Sequence, residues 1–201
     1  KKCMRDRCTE MVKAILNNTD LDYVIKLRNW DYGYNRALSK RNHGIFCTTY
    51  TESRAPRFKW VGPLTRNLWT IFAPAGTNLQ IDKLEDARGL RFGGYRNDVM
   101  TEYLLERGYE VSTLDSDDLN PKRLELGQID LWIADRLAGP YFASQQNVEG
   151  LDPVYSFNDT ELFLAINLDT PDATVEKLNA GLRKVHETGL YTSDAAADRL
   201  C

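Results

Sequence analysis

Thr49-Tyr50-Thr51-Glu52-Ser53-Arg54-Ala55-Pro56-Arg57-Phe58-Lys59-Trp60-Val61-Gly62-Pro63 sets an arginine among hydroxyls directly after a short apolar run, Ile45-Phe46-Cys47. The apolar run reads as a strand and the polar stretch after it as an anion clamp. Arg54 offers five donors in a planar fork that matches a carboxylate through two parallel hydrogen bonds, and Thr49 and Thr51 can donate or accept beside it. Upstream, a helix from about Tyr32 to Lys40 leads through Asn42-His43-Gly44 into this strand; downstream, Phe58 to Val61 makes another short extended piece. Helix alternating with strand is the mark of an α/β sheet covered on its faces.

The same alternation continues outward. Thr9 is placed to cap a helix with the apolar face Met11, Val12, Ile15 and Leu16, and Tyr23 to Leu27 reads as a strand. Leu68 to Ala73 is a strand closed by Pro74-Ala75-Gly76. Strands at Leu90–Gly93, Tyr109–Thr113 and Ile129–Ala134 alternate with helices at Asp98–Arg107, Pro121–Leu126 and Leu137–Gln145, two of them stopped by Gly108 and Gly127. A last strand, Leu162–Ile166, precedes a helix whose stripe is Val175, Leu178, Leu182 and Val185. Two stretches share a layout of helix, glycine turn and buried strand: Ala37-Leu38 through Gly44, and Arg123-Leu124 through Gly127. The pattern predicts two similar lobes.

With 201 residues and 42% hydrophobic content, the chain can bury real cores. Its 26 Lys and Arg against 29 Asp and Glu give a formal net charge of -3, with the basic residues scattered, which argues against a nucleic-acid surface. There is no apolar run of about 18 residues to span a bilayer, and the start Lys1-Lys2-Cys3 has no apolar h-region, so a secretory signal is expected to be absent from this chain. Cys3, Cys8, Cys47 and Cys201 allow three disulfide pairings that spacing alone does not separate. A zinc site from Cys3, Cys8, His43 and Cys47 is disfavoured because compact C-x2-C and H-x3-H spacings are missing. No metal or cofactor is expected.

Four pieces together resemble the type II periplasmic solute-binding proteins of polar amino-acid ABC importers, solute-binding protein family 3. They are Thr51-x-x-Arg54 followed by Phe58 to Pro63; Leu124-Glu125-Leu126-Gly127-Gln128-Ile129-Asp130; Asp135 after the strand residue Leu131; and Thr170-Pro171-Asp172 through Leu178-Asn179 to Gly189-Leu190-Tyr191. The resemblance implies a two-lobed α/β fold, each lobe a mostly parallel sheet flanked by helices. Residues 1–73 plus 163–201 would form lobe 1 and residues 77–158 lobe 2, joined by crossing strands at about 68–73 and 162–166. It further implies a ligand held in the cleft between the lobes, with closure by hinge motion. Arg54 then matches the position that grips a ligand carboxylate, Thr49 stands beside it, and Asp135 matches the acid that binds an α-amino group.

Two departures follow. Where amino-acid binders carry Gly, Ser or Thr at the start of the second lobe's first helix, this chain has Tyr95-Arg96-Asn97-Asp98. A carboxylate at Asp98 would cap that helix and compete with a ligand carboxylate, while Arg96 could supply a second guanidinium. The family's first strand and its stacking aromatic should also precede Cys8, where only Lys1 to Arg7 stand, so the start is expected to be truncated or tied down through Cys3 or Cys8. Among the aromatics, Trp30 and Tyr95 are the expected ligand-stacking residues, because both sit where a strand gives way to a helix.

The resulting expectation is an extracytoplasmic, monomeric, non-enzymatic receptor, periplasmic by resemblance, that captures a small polar solute and delivers it to the membrane permease of an ABC importer. Two alternatives share the scaffold. One is an enzyme resembling cyclohexadienyl dehydratases, with Asp98, Asp135 and His43 as its acid or base. The other is the ligand-sensing domain of a larger receptor.

Overall fold

The computed structural model of the protein describes residues 4–188, so Cys3, Cys201 and the Gly189-Leu190-Tyr191 motif lie outside the described residues. In chain order the elements are α1 (Met4–Asn17), α2 (Trp30–Ser39), β1 (Gly44–Thr49), β2 (Phe58–Pro74), β3 (Phe92–Tyr95), α3 (Val99–Glu106), β4 (Val111–Leu114), α4 (Asn120–Glu125), β5 (Leu131–Asp135), α5 (Ala138–Gln145), β6 (Leu151–Asn167) and α6 (Asp172–Glu187). The strand order is β1-β6-β2-β5-β3-β4. Two compact units result. The first contains residues up to 28, 32–66 and those from 160 onward; the second contains residues 29–31 and 67–159. The long strands β2 and β6 each contribute one part to either unit.

In the first unit, β1 runs antiparallel to β6, with Gly44 opposite Ile166 and Thr49 opposite Leu162. Its core joins Met11, Val12 and Ile15 of α1 to Leu178, Leu182 and Val185 of α6, over Val61, Leu64, Leu164 and Ile166 of the strands. Each such side chain taken fully out of water contributes about 1.5–3 kcal/mol. The two helices approach closely at Gly181, where a Cβ would stand 2.5 Å from the Ile15 carbonyl oxygen. Lys59 ties β2 to the start of α6, donating to the Thr170 carbonyl at 2.7 Å and to the Asp172 carboxylate at 2.5 Å.

Three features differ from the sequence reading. Thr9 lies inside α1, which begins at Met4, so it is no N-cap. Tyr23–Leu27 forms no strand: Val24 is 79% and Leu27 72% exposed, and only Ile25 of the run packs on the core. Its β-prone residues find no ladder and no apolar face, which is what β-propensity depends on. Phe58–Val61 and Leu68–Ala73 are one strand rather than two. Gly62 makes room for the Phe163 ring, 2.5 Å from where a Cβ would be.

Period-2 alternation organises the second unit. Ile71, Leu131 and Ile133 pack into one core with Phe92, Leu104 and Tyr109, whereas their strand neighbours Phe72, Trp132 and Ala134 pack into another with Leu124 and Ile129. Successive strand residues face opposite sides, so β5, buried at every position, is a strand covered on both faces. β3 runs parallel to β4 and β5, and β2 runs antiparallel to β5. Arg91 fixes the start of β3, donating to both Asp130 oxygens at 3.0 and 2.8 Å and to the Gly127 and Gln128 carbonyls. Gly108 and Gly127 stop α3 and α4 with φ of +76° and +66°, a region open to glycine at little cost.

Cys8 of α1 and Cys47 of β1 form a disulfide with Cα atoms 5.9 Å apart. The β1–β6 register slips between Ile45 and Thr48, and Cys47 within that bulge has φ +58°. Such bulges re-aim a side chain, here toward α1. A bridge across a separation of 39 residues lowers the entropy of the unfolded chain. By loop-closure arithmetic that is about 4 kcal/mol. Cys47→Ala should therefore shift the urea midpoint markedly downward, and reductant should shift the wild type but leave the variant unchanged.

Candidate functional site

The polar stretch after β1 folds into one tight turn in the first unit. The Arg54 amide donates to the Thr51 carbonyl at 3.1 Å and to its hydroxyl at 3.2 Å, and the Ala55 amide closes on the same carbonyl at 2.8 Å. Thr51 Oγ1 also meets the Ser53 hydroxyl at 3.0 Å. A 3₁₀ turn at Ala55–Arg57 follows, and the Trp60 indole donates to the Ala55 carbonyl at 3.2 Å. Thr49, the last residue of β1, is buried, and Arg54 is only 4% exposed.

The guanidinium of Arg54 lies 5.3 Å from the centre of the Tyr34 ring. Arg57 approaches the same ring at 5.6 Å and donates to the Tyr34 hydroxyl at 3.3 Å. An aromatic face attracts a cation, so one ring of α2 gathers two positive charges. Tyr34 is itself held edge-on by Phe58 at 5.4 Å, and Phe58 by Trp60 at 5.6 Å. Burying a guanidinium near a second one raises the local positive potential, which favours an anion. Tyr34 and Arg57 escape a reading of the sequence: Tyr34 is one of several aromatics in α2, and its pairing with residues twenty positions on is tertiary.

In the second unit the remaining candidates separate into distinct roles. Asp98 caps α3, its Oδ2 accepting from the Met100 and Thr101 amides at 3.0 Å each and from the Thr101 hydroxyl at 3.3 Å. The helix N-terminus thus already holds a carboxylate, its own. Arg96 forms an exposed ion pair with Asp115 at 2.6 Å, with side-chain exposures of 63% and 70%. Pairs of that kind contribute little. Asn97 adopts φ +57°; its carbonyl accepts from the Trp30 indole at 2.9 Å, and its amide donates to Asp31. Trp30 and Asn97 are therefore brought together, with Trp30 half-buried and Asn97 exposed.

The half-buried Tyr95 is fixed through its backbone, which donates to the Thr101 hydroxyl at 3.2 Å. Gly94 is required beside it, because a Cβ there would lie 2.3 Å from that hydroxyl oxygen. Asp135, at the end of β5, is 4% exposed and caps the start of α5, Oδ1 accepting from the Leu137 amide at 2.8 Å and the Ala138 amide at 2.9 Å. His43 sits in a turn, its Nδ1 3.0 Å from the Arg41 carbonyl. Among the described residues no group of three or more His, Cys, Asp or Glu is placed to hold a metal ion. No helix among them is long and apolar enough to cross a membrane.

No protein-family model matches the chain, and no curated protein matches it. Solved structures do. The fold is that of periplasmic-binding-protein-like domains. The chain is similar to a histidine kinase sensor domain described as resembling periplasmic binding proteins, with a TM-score of 0.83 and 23% identity over 90% of this chain and 80% of that one. An ancestral arginine-binding protein bound to arginine matches with a TM-score of 0.78 and 20% identity, over 90% and 82% of the two chains. The GluR0 ligand-binding core from Nostoc punctiforme, in complex with L-glutamate, matches with a TM-score of 0.77 and 15% identity, over 90% and 84%. At such identities the likeness defines the fold.

The capping geometry of Asp98 makes a direct prediction. Asp98→Ala should lower stability by about 1 kcal/mol, whereas Asp98→Asn, which retains the accepting oxygen, should remain within a few tenths of wild type in chemical denaturation.

Proposed function

We propose that this protein is a non-enzymatic binding domain for a small, polar, carboxylate-bearing solute of amino-acid type, with Arg54 as the principal anion anchor. The observation that carries the reading is a guanidinium buried to 4% exposure over the Tyr34 ring, with Arg57 on the same ring and the Thr49 and Thr51 hydroxyls in the adjoining chain. A desolvated, preorganised fork of this kind binds a carboxylate more strongly than a solvated one does. Bound arginine and L-glutamate in structures of the same fold support the ligand class. In the second unit Asp135 is the proposed partner of an α-ammonium group. Trp30, Tyr95, Arg96, Asn97 and Asp98 are proposed to shape the polar surface next to the ligand, with Asp98 acting through α3 rather than as a rival anion.

The proposed setting is extracytoplasmic, with the chain a monomer that hands its solute to an ABC importer permease. A second reading, a sensory domain, is favoured by the likeness to the histidine kinase sensor domain. Transport by permease-containing vesicles in the presence of this protein separates the two, since a sensor would not stimulate uptake.

Isothermal titration against a panel of amino acids, opines and small carboxylates tests the central claim. A bound member should raise the melting temperature, and Arg54→Ala should weaken it by about 2–5 kcal/mol, the cost of removing one partner of a buried charged pair. Unchanged affinity in a folded Arg54→Ala protein, or silence across the panel, would sink the proposal.

A further inference from the structure

Beneath the turn that carries Tyr95 and Asn97 lies a closed set of polar side chains. Asp117 is 8% exposed, and Asn120 and Trp132 are fully buried. Asp117 Oδ1 accepts from Asn120 Nδ2 and from the Trp132 indole, each at 2.8 Å. Asn120 Nδ2 gives its other hydrogen to the Gly94 carbonyl at 3.0 Å, and Asn120 Oδ1 accepts from Arg123 at 2.9 Å. Every part of that amide has a partner, so its orientation is fixed: turned over, its oxygen would face both the Asp117 carboxylate and the Gly94 carbonyl. Arg123 is anchored in turn by the Ser112 carbonyl and hydroxyl. Gly93 adds a steric constraint, since a Cβ there would lie 2.8 Å from Asn120 Oδ1.

We propose that Asp117, Asn120 and Trp132 form a buried, proton-linked support for the 94–98 turn, in which the charge on Asp117 sets how firmly Asn120 holds Gly94. The three are positioning residues. When Asp117 is ionised, the bonds from Asn120 and Trp132 are charge-assisted; when it gains a proton they weaken, and Asn120 is freed to follow the Gly94 carbonyl. Burial pushes the Asp117 carboxyl up to about 7, against the opposing pull of the Asn120 and Trp132 bonds and with the help of Asp98 and Asp118. The other charged groups on the packed elements are Arg123, which reaches Asn120, Lys122 and Glu125, which pair with each other, and Asp135 at the end of β5. Because the folded value lies above the ordinary 3.8, this group's contribution to stability is fully present below about pH 4 and is lost as pH rises through about 7.

An effect on ligand affinity rests on the function proposed above, whereas the support itself does not. The test is therefore an NMR titration of the ligand-free protein from about pH 5 to pH 8.5 that follows the Asp117 carboxyl carbon and the Gly94 and Tyr95 amides. The expected result is one shared midpoint near 7 that vanishes from both amides in Asp117→Asn. Trp132→Phe, which removes one donor to the carboxylate, should raise the midpoint in the carboxyl and the amides together, and it decides the matter if Asp117→Asn does not fold. Amides that stay flat while Asp117 titrates, or an Asp117 that is fully ionised at the lowest pH, would overturn the proposal. If an amino acid from the panel binds, its affinity should vary with the same midpoint; constant affinity would overturn the link to the site. Should no member bind, the functional reading fails, and the turn titration still decides the role of Asp117.

Discussion

Taking a guanidinium out of water costs several kcal/mol unless the surroundings replace its hydration. Arg54 is buried on those terms, and much of the first unit's local structure follows from it. Tyr34 supplies a ring face, Phe58 and Trp60 brace that ring, and the Thr51–Ala55 turn holds the backbone from which the side chain departs. A ring face attracts a cation, so Tyr34 supplies part of that replacement.

The second unit resolves its charges in the opposite manner. Asp98 and Asp135 both lie at helix beginnings and accept backbone amides there, so their negative charge is already balanced by aligned peptide dipoles. Arg96 is engaged at the surface by Asp115. The acids of the second unit are thus engaged by its own backbone amides, whereas the buried guanidinium of the first unit lies over a ring.

Much of this was legible in the amino acids. The helices α2, α3 and α6 and the strands β1 and β5 follow from periodicity, with glycines at the ends of α3 and α4, and the fold follows from their alternation. Tyr23–Leu27 misled because its residues favour a strand while nothing in the fold pairs with them. β2 was obscured because Gly62 and Pro63 punctuate it, and only the nearness of Phe163 explains why glycine is needed there. At the candidate site, Arg54 and its hydroxyl neighbours could be singled out from the sequence, but its burial and its ring partner could not. The Asp117 network joins residues from four elements, and no local pattern announces that a loop aspartate and an indole will meet.

The second unit is, apart from residues 29–31, one uninterrupted length of chain set within the first. During synthesis the ribosome therefore finishes it while the first still lacks α6 and the closing part of β6, whose apolar side chains complete the core around α1. Domains tend to mature as units in the order they emerge. Here the order of completion is inverted: α1 precedes the second unit in the chain but its packing partners on α6 follow it, so the core around α1 can close only after the second unit has been made.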